Sequence, residues 1–400
     1  MKWRRQPPVL SPVSVRALLS GSRAAIGFGN PGPDSAEQLL CQSFNACEAV
    51  LTDSGTSALV LALRKLVGSG GTVAFPGYAC IDLTAAAVAA DVRVRLYDLN
   101  PSTLSPDLDS VRRAMRRGVD AIVVAHLFGY AADVAGVKNL AELEGIPVIE
   151  DAAQGACAVM LGARLGSIGD VGILSFGRGK GTTTGSGGAL LANTSGTAEW
   201  LQSERATLGP PARGGMHIVT LLAQRVLSNP VLYSLPASIP ALKLGEMVFH
   251  PAGRPRAISR AGRAILPHAL AIEARELEIR RRRASEILLR LREARQITAV
   301  RPIAGSTPGF LRIAALDTSS GRAPRTDLGI VRGYPQTLEE HRELQPLLLV
   351  GERAGTGSKI LCDTLFTIPT HSRVDGACMN GLDGWLNPTE IADSVLAVAG

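Results

Sequence analysis

The sequence predicts an α/β fold: one large domain built on a mainly parallel sheet with helices on both faces, plus a smaller C-terminal α/β lobe. Three observations carry this. Short apolar runs of strand length alternate with helix-patterned stretches through the first half of the chain, and short connections between them call for a largely parallel sheet. Two of the runs, Ile146 to Ile149 and Val171 to Phe176, end abruptly in polar or Gly-rich text, as buried strands do where an open sheet places its ligand. Ala and Gly are abundant and aromatics make up only 4%, a composition that suits tight helix–sheet contacts.

In chain order, residues 1–34 are rich in Pro, Gly and Ser and read as an extended arm. Gly27, Gly29 and Gly32 spell GxGxxG there, but Pro31 and Pro33 interrupt it and no strand precedes it, so it reads as a turn. A helix pattern over 35–47 leads to a strand, Glu48 to Thr52. A small-residue turn at Ser54 to Ser57 and an apolar helix to Val67 follow. A helix start of this kind offers free backbone N–H groups and a positive dipole end. Strands are expected at Thr72 to Phe75, Val92 to Leu96 and Ala121 to Ala125, with helices over 83–90, 108–117 and 137–143. The strand ending at Asp151 comes next, and Ala189 to Ala192 pairs back on the core. Residues 195–262 give helical patches broken by prolines. Pro267 reads as the first residue of a long helix to Arg295. The last part reads as a small lobe with strands at 310–315, 328–332 and 365–368. Asn387-Pro388-Thr389-Glu390 opens a final helix. The expected divisions are an arm (1–34), a large domain (35–262), and a connecting helix with a small domain (263–400).

The bulk numbers narrow the function classes. Hydrophobic content of 46% with 19% charged residues is that of an ordinary soluble enzyme. The net charge of +7 would suit nucleic acid, but the arginines are scattered and the densest run, Arg280 to Arg283, lies on a helical pattern as a solvated face. A basic surface equally suits a diphosphate-bearing substrate. Six cysteines show neither CxxC nor zinc spacing, so no metal is expected and the thiols read as reduced, in a cytoplasmic protein. The basic N-terminus lacks a signal-peptide core. The apolar run Ile218 to Leu235 is interrupted by Gln224, Arg225, Asn229 and Pro230. Neither a nucleic-acid nor a membrane partner is expected.

Chemistry concentrates between Val148 and Gly188. One strand ends in Glu150-Asp151; the next ends in a Gly-rich turn carrying Lys180. An amine and a carboxylate meeting at adjacent strand ends suit pyridoxal 5′-phosphate, which needs an amine for its aldehyde and an acid to keep its ring nitrogen protonated. A Walker A reading fails, because Leu174 stands where its first Gly is required and Gly181 replaces the Ser/Thr. Gln154, three residues past Asp151, would share its face on a helical turn. Ser175 and Thr56 could supply hydroxyls to a phosphate, beside the N–H groups of Gly55, Thr56 and Ser57. His126, at a strand end, reads as a cofactor or substrate contact, or as a hydrogen-bonded structural histidine.

These residues, Glu150-Asp151-Ala152-Ala153-Gln154 followed by Ser175, Phe176, Lys180, Thr183, Thr184, Gly185, Gly187 and Gly188, resemble the DegT/DnrJ/EryC1/StrS family of sugar aminotransferases. That family is a branch of the fold-type I pyridoxal-phosphate enzymes. The resemblance covers residues 35–200. It departs at Gly181, Thr182 and Ser186, where Asn, Leu and Glu are usual. It implies Lys180 as the catalytic amine, Asp151 as the partner of the ring nitrogen, and the Gly55-Thr56 turn as the phosphate seat. It also implies an aromatic stacked on the ring; Tyr78 is the one available, although Cys80 stands at the aligned position. The family's N-Y-R-M run is missing, leaving Arg260 and Arg263 as substrate or partner-subunit contacts. His371, in text resembling the family's small-domain segment, reads as structural or as lining the substrate mouth. The expected activity is transfer of an amino group, from glutamate, to a keto sugar carried on a nucleotide, in surface polysaccharide or amino-sugar biosynthesis. A homodimer with its site at the interface is implied. The alternatives are a non-catalytic regulator or sugar-nucleotide binder on the same fold, or another chemistry of the same cofactor. A dehydratase of this family would carry His in place of Lys180.

Overall fold

The computed structural model describes residues 4–28, 35–155, 157–237, 239, 248–319 and 321–387. Its central sheet has seven strands, in the spatial order Glu48–Thr52, Gly188–Ala192, Val171–Ser175, Val148–Asp151, Ala121–Ala125, Thr72–Pro76 and Arg93–Tyr97. Gly188–Ala192 runs antiparallel to both neighbours, and the other pairings are parallel. Every residue of the 121–125, 148–151 and 188–192 strands is buried, as expected of a sheet covered by helices on both faces. One face packs Val50, Val73, Phe75 and Ile173 against the Gly55–Leu66 and Asp82–Ala90 helices. The other packs Ile122, Val124 and Val148 against the Leu108–Arg116 and Val134–Glu142 helices.

The C-terminal lobe holds a four-stranded antiparallel sheet, ordered Ile297–Ala299, Arg312–Asp317, Leu365–Pro369 and Val331–Arg332. The Glu273–Glu293 and Gly376–Leu386 helices cover it around Ile287, Ile313, Phe366 and Trp385.

Several sequence expectations change. The 267–295 helix is two helices, Arg260–Leu270 and Glu273–Glu293. Ser259 caps the first, its Oγ accepting from Gly262 N at 3.0 Å, so the helix starts well before Pro267, which lies inside it rather than at its first position. Residues 1–34 are not extended throughout: Val15–Ala25 is a helix capped by Ser14, whose Oγ accepts from Ala17 N at 3.1 Å. Its Ala17, Leu18, Gly21 and Ala24 are buried, and a Cβ on Gly21 would meet Ile218 and Ile265 at 2.7 Å. The 328–332 strand shortens to Val331–Arg332, because a 3-10 turn occupies Thr326–Leu328. The final helix expected after Pro388 lies outside the described residues; the last described helix is Gly376–Leu386.

Candidate active site

The parallel strands end together. Ala125 pairs with Asp151, and Asp151 with Ile173, so three chain segments far apart in sequence open onto one crevice at the carboxyl edge of the sheet. Gly55, Thr56, Cys80, Asp82, His126, Asp151, Gln154, Ser175 and Lys180 all line it. Its empty space, counted out to open solvent, is about 490 Å³.

The strand and turn chemistry explains each placement. Ser54 is extended and caps the Gly55–Leu66 helix, its Oγ accepting from Ser57 N at 3.0 Å. That bond consumes the Ser57 N–H, and the Ser57 hydroxyl is tied to Ser54 as well. Ser57 is buried in the cap and is not a pocket residue; Gly55 and Thr56 hold the exposed end of the helix dipole. Close approach is enforced from below. A Cβ on Gly188 would lie 2.4 Å from Gly55 N, and Gly187 has φ +137°, a backbone state that side chains disfavour.

Asp151 is buried, with its Oδ1 accepting from Ala153 N at 2.9 Å. Burial pushes its carboxyl above the ordinary value, against the pull of the Ala153 N–H and the charge of Lys180. Glu150 behaves oppositely. Burial opposes its charge too, yet four donors outweigh it and hold it below the usual carboxylate range. They are His126 Nε2 (2.8 Å), Gly166 N (2.7 Å), Ile168 N (2.7 Å) and Gly169 N (2.9 Å). His126 Nδ1 accepts from Ala132 N at 2.9 Å, so Nε2 carries the proton and donates to Glu150. Both ring nitrogens are thereby spent, so His126 lines the crevice without a free hydrogen-bonding atom.

Gln154 is not on a helix: residues 153 and 154 form a single turn after the strand, closed by Gly155 N donating to Ala152 O at 2.9 Å. Its Oε1 accepts from Phe128 N at 3.1 Å and its Nε2 donates to the hydroxyl of Tyr334. The Lys180 turn is held from outside by the N-terminal segment, where the Ser11 hydroxyl donates to Lys180 O. The same segment reaches the lobe, with Gln6 N donating to Asp327 O at 2.9 Å.

Four other expected contacts fall elsewhere. Tyr78 is fully buried, its hydroxyl accepting from Tyr334 N at 2.7 Å and its ring 5.2 Å from that of Tyr334. It is spent in the contact between sheet and lobe, and Cys80 takes the pocket wall. Arg263 pairs with Glu37, Arg260 is exposed at a helix start, and neither lines the crevice. His371 is buried with Nε2 donating to Pro7 O at 2.8 Å; burial pushes it down to about 4, so it is a neutral structural histidine. Sequence reasoning missed Asp82, whose carboxylate accepts a hydrogen bond from the Cys80 thiol at 3.3 Å. An acid in the first turn of a helix that follows a strand end was the available signal.

These groups fit pyridoxal 5′-phosphate: an amine for the aldehyde, a buried acid beside it for the ring nitrogen, and a helix N-terminus with two hydroxyls for the phosphate. Among the described residues no cluster of His, Cys, Asp and Glu could hold a metal ion.

Comparison with known proteins agrees. The model of the DegT/DnrJ/EryC1/StrS aminotransferase family matches residues 26–206. The L-glutamine:2-deoxy-scyllo-inosose aminotransferase of Streptoalloteichus tenebrarius is 34% identical over 244 residues, covering 58% of this chain and 57% of that protein. The enzyme of the same name from Micromonospora echinospora is 33% identical over 253 residues, covering 60% and 59%. The chain thus aligns with less than two thirds of the length of these relatives. Among solved structures, the sugar aminotransferase CalS13 from Micromonospora echinospora superposes with a TM-score of 0.73 at 21% identity, over 95% of this chain and 98% of that one. A putative sugar aminotransferase from Streptococcus pneumoniae in its PMP form gives 0.74 at 16% identity, over 94% and 97%; at these identities the likeness is one of fold. Over residues 26–206, a little under half of its length, the chain is similar to the DegT/DnrJ/EryC1/StrS aminotransferase family.

Proposed function

We propose that the protein is a pyridoxal-phosphate-dependent aminotransferase that moves an amino group from an amino-acid donor to the carbonyl carbon of a sugar or cyclitol ketone. The observation that carries this reading is the convergence of Lys180, Asp151 and the Gly55-Thr56 helix start on one crevice. When bound, the cofactor supplies an electron sink for the carbon that loses its proton. Lys180 Nζ would hold the aldehyde end; released when the donor amine replaces it, it would take the proton from the donor carbon as base and give it back as acid, and would do the reverse with the acceptor. Asp151 would pair with the ring nitrogen and hold its proton in place. The N–H groups and hydroxyl at Gly55 and Thr56, with the Ser175 hydroxyl, take the phosphate. Gln154, fixed by Phe128 N and Tyr334, would stand beside the ring.

The relatives' names favour glutamine as donor and an inosose-type ketone as acceptor; the sequence resemblance favours glutamate and a nucleotide-linked keto sugar, which the basic composition also suits. Two copies associated around the crevice are part of this reading. The test is spectroscopic. Purified protein with added cofactor should show a visible absorption band that Lys180→Ala abolishes, and glutamine or glutamate should bleach it in a half-reaction. A protein that stays colourless sinks the assignment. A band that neither donor bleaches favours a sugar-nucleotide binder on the same fold. Comparing the two donors, and free with nucleotide-linked ketones, settles the substrate pair.

A further inference from the structure

Three neighbouring helices carry apolar side chains that the fold does not use. The Val15–Ala25 helix turns its small residues inward, and with Val13, Ile218, Leu221 and Ile265 they close a separate small core. Its outward side shows Leu19 and Ile26, 62% and 72% exposed, with Phe28 just beyond at 69%. The Gly215–Leu227 helix buries Ile218 and Leu221 in the same core but presents Met216, Val219, Leu222 and Val226 to solvent at helical spacing. Leu235, on the Pro230–Ala237 helix, continues the exposure. The three segments are tied together: Arg225 Nη1 donates to Val13 O at 2.7 Å, Gln224 Nε2 to Ser11 O at 3.1 Å, and Arg5 N to Pro230 O at 3.0 Å. Apolar exposure on this scale marks a docking surface.

Charge says what docks. The chain has 35 Asp and Glu, yet residues 1–33 and 205–245, which hold these helices, contain none; they carry nine Lys or Arg. Arg16 and Arg23 flank the stripe on the first helix, and Arg213 and Arg225 stand on the second segment, all four exposed. A second copy docking through the same face would bring these like charges together with no acid of the same segments to pair them. An anionic bilayer complements both features, taking apolar side chains into its headgroup boundary and basic ones at its phosphates. Among the described residues no helix is long and apolar enough to cross a membrane.

We propose that this face docks the protein peripherally on an anionic phospholipid surface. The proposal replaces the sequence expectation of no membrane partner and is independent of the aminotransferase reading. The test is co-sedimentation of the full chain with vesicles of phosphatidylcholine alone and with vesicles that also contain phosphatidylglycerol. The expected result is binding to the second kind only, weakening with salt. Leu19→Glu with Leu222→Glu should abolish it, and Arg16→Gln with Arg23→Gln should weaken it roughly thirtyfold, with unchanged melting temperature because all four side chains are exposed. Binding to neither vesicle, or equally to both, overturns the proposal. So does a wild-type dimer that ignores vesicles and dissociates in the glutamate variant, which would make the face an interface between copies.

Discussion

Glu150 and Asp151 are consecutive residues of one buried strand, and their carboxylates are held in opposite electrostatic states. Glu150 is over-supplied with donors and sits below the ordinary carboxylate range; Asp151 has one backbone donor and sits above it. Alternation along the strand sends neighbouring side chains different ways. One acid thus serves the scaffold, while the next is left under-satisfied in the crevice, where it can meet a cation.

For Glu150 the folded value is depressed, so its contribution to stability is present above the ordinary carboxylate range and fades as pH falls through the lower folded value. Glu150→Ala strips partners from His126 and three backbone N–H groups. The variant should lose about 3 kcal/mol or more of stability, read by chemical denaturation at neutral pH, with the difference from wild type narrowing in acid.

Asp151 has the reverse sign. Its folded value is raised, so ionising it weakens the fold as pH climbs from the ordinary carboxylate range through the folded value. Asp151→Asn in the cofactor-free protein should therefore melt higher than wild type at neutral pH, while transamination falls by about 100-fold or more. A variant that melts lower would show that the carboxylate is already paired in the empty protein.

Lys180→Ala should lower turnover by about a thousandfold or more, with the melting temperature of the cofactor-free protein nearly unchanged, because the side chain makes no salt bridge among the described residues. Retained turnover would place the reacting amine elsewhere.

His371 is buried and neutral, pushed down to about 4. In the unfolded chain it gains a proton near pH 6.5, so stability should fall by on the order of 3 kcal/mol as pH drops from about 6.5 to about 4. His371→Gln should flatten that limb of the stability–pH curve; an unchanged slope would assign it to another group.

Gly188→Ala should push the Gly55 end of its helix out of place, since the new Cβ would lie 2.4 Å from Gly55 N and 2.5 Å from the Ser54 carbonyl. A loss of about 1–3 kcal/mol is expected, along with weaker binding of the cofactor and of inorganic phosphate, measured by titration calorimetry.

Much of this was legible in the residues themselves. Strand and helix order up to Gly188 follows from local apolar period and Gly-rich punctuation, because a parallel sheet covered on both faces demands continuous apolar strands. Lys180, Asp151, Gln154, Ser175, Gly55 and Thr56 share one crevice because they sit at or next to strand ends or at a helix start, where chain direction forces them to the ligand edge. What local pattern could not supply was the destination of side chains one step off those points. Ser57 turned into its own cap. Tyr78 left the pocket for Tyr334, more than 250 residues away, and gave the wall to Cys80. His126 was consumed by Glu150 and Ala132. Pro267 looked like a helix start until Ser259 capped the chain ahead of it. These outcomes depend on which long-range partner reaches a group first, which is a property of packing. The sequence by itself determined the sheet, the amine and the acid, because spacing and burial decide those locally. The tertiary structure decided which polar groups remain free for chemistry and which apolar helix faces remain uncovered, because only the assembled fold shows where every other partner has gone.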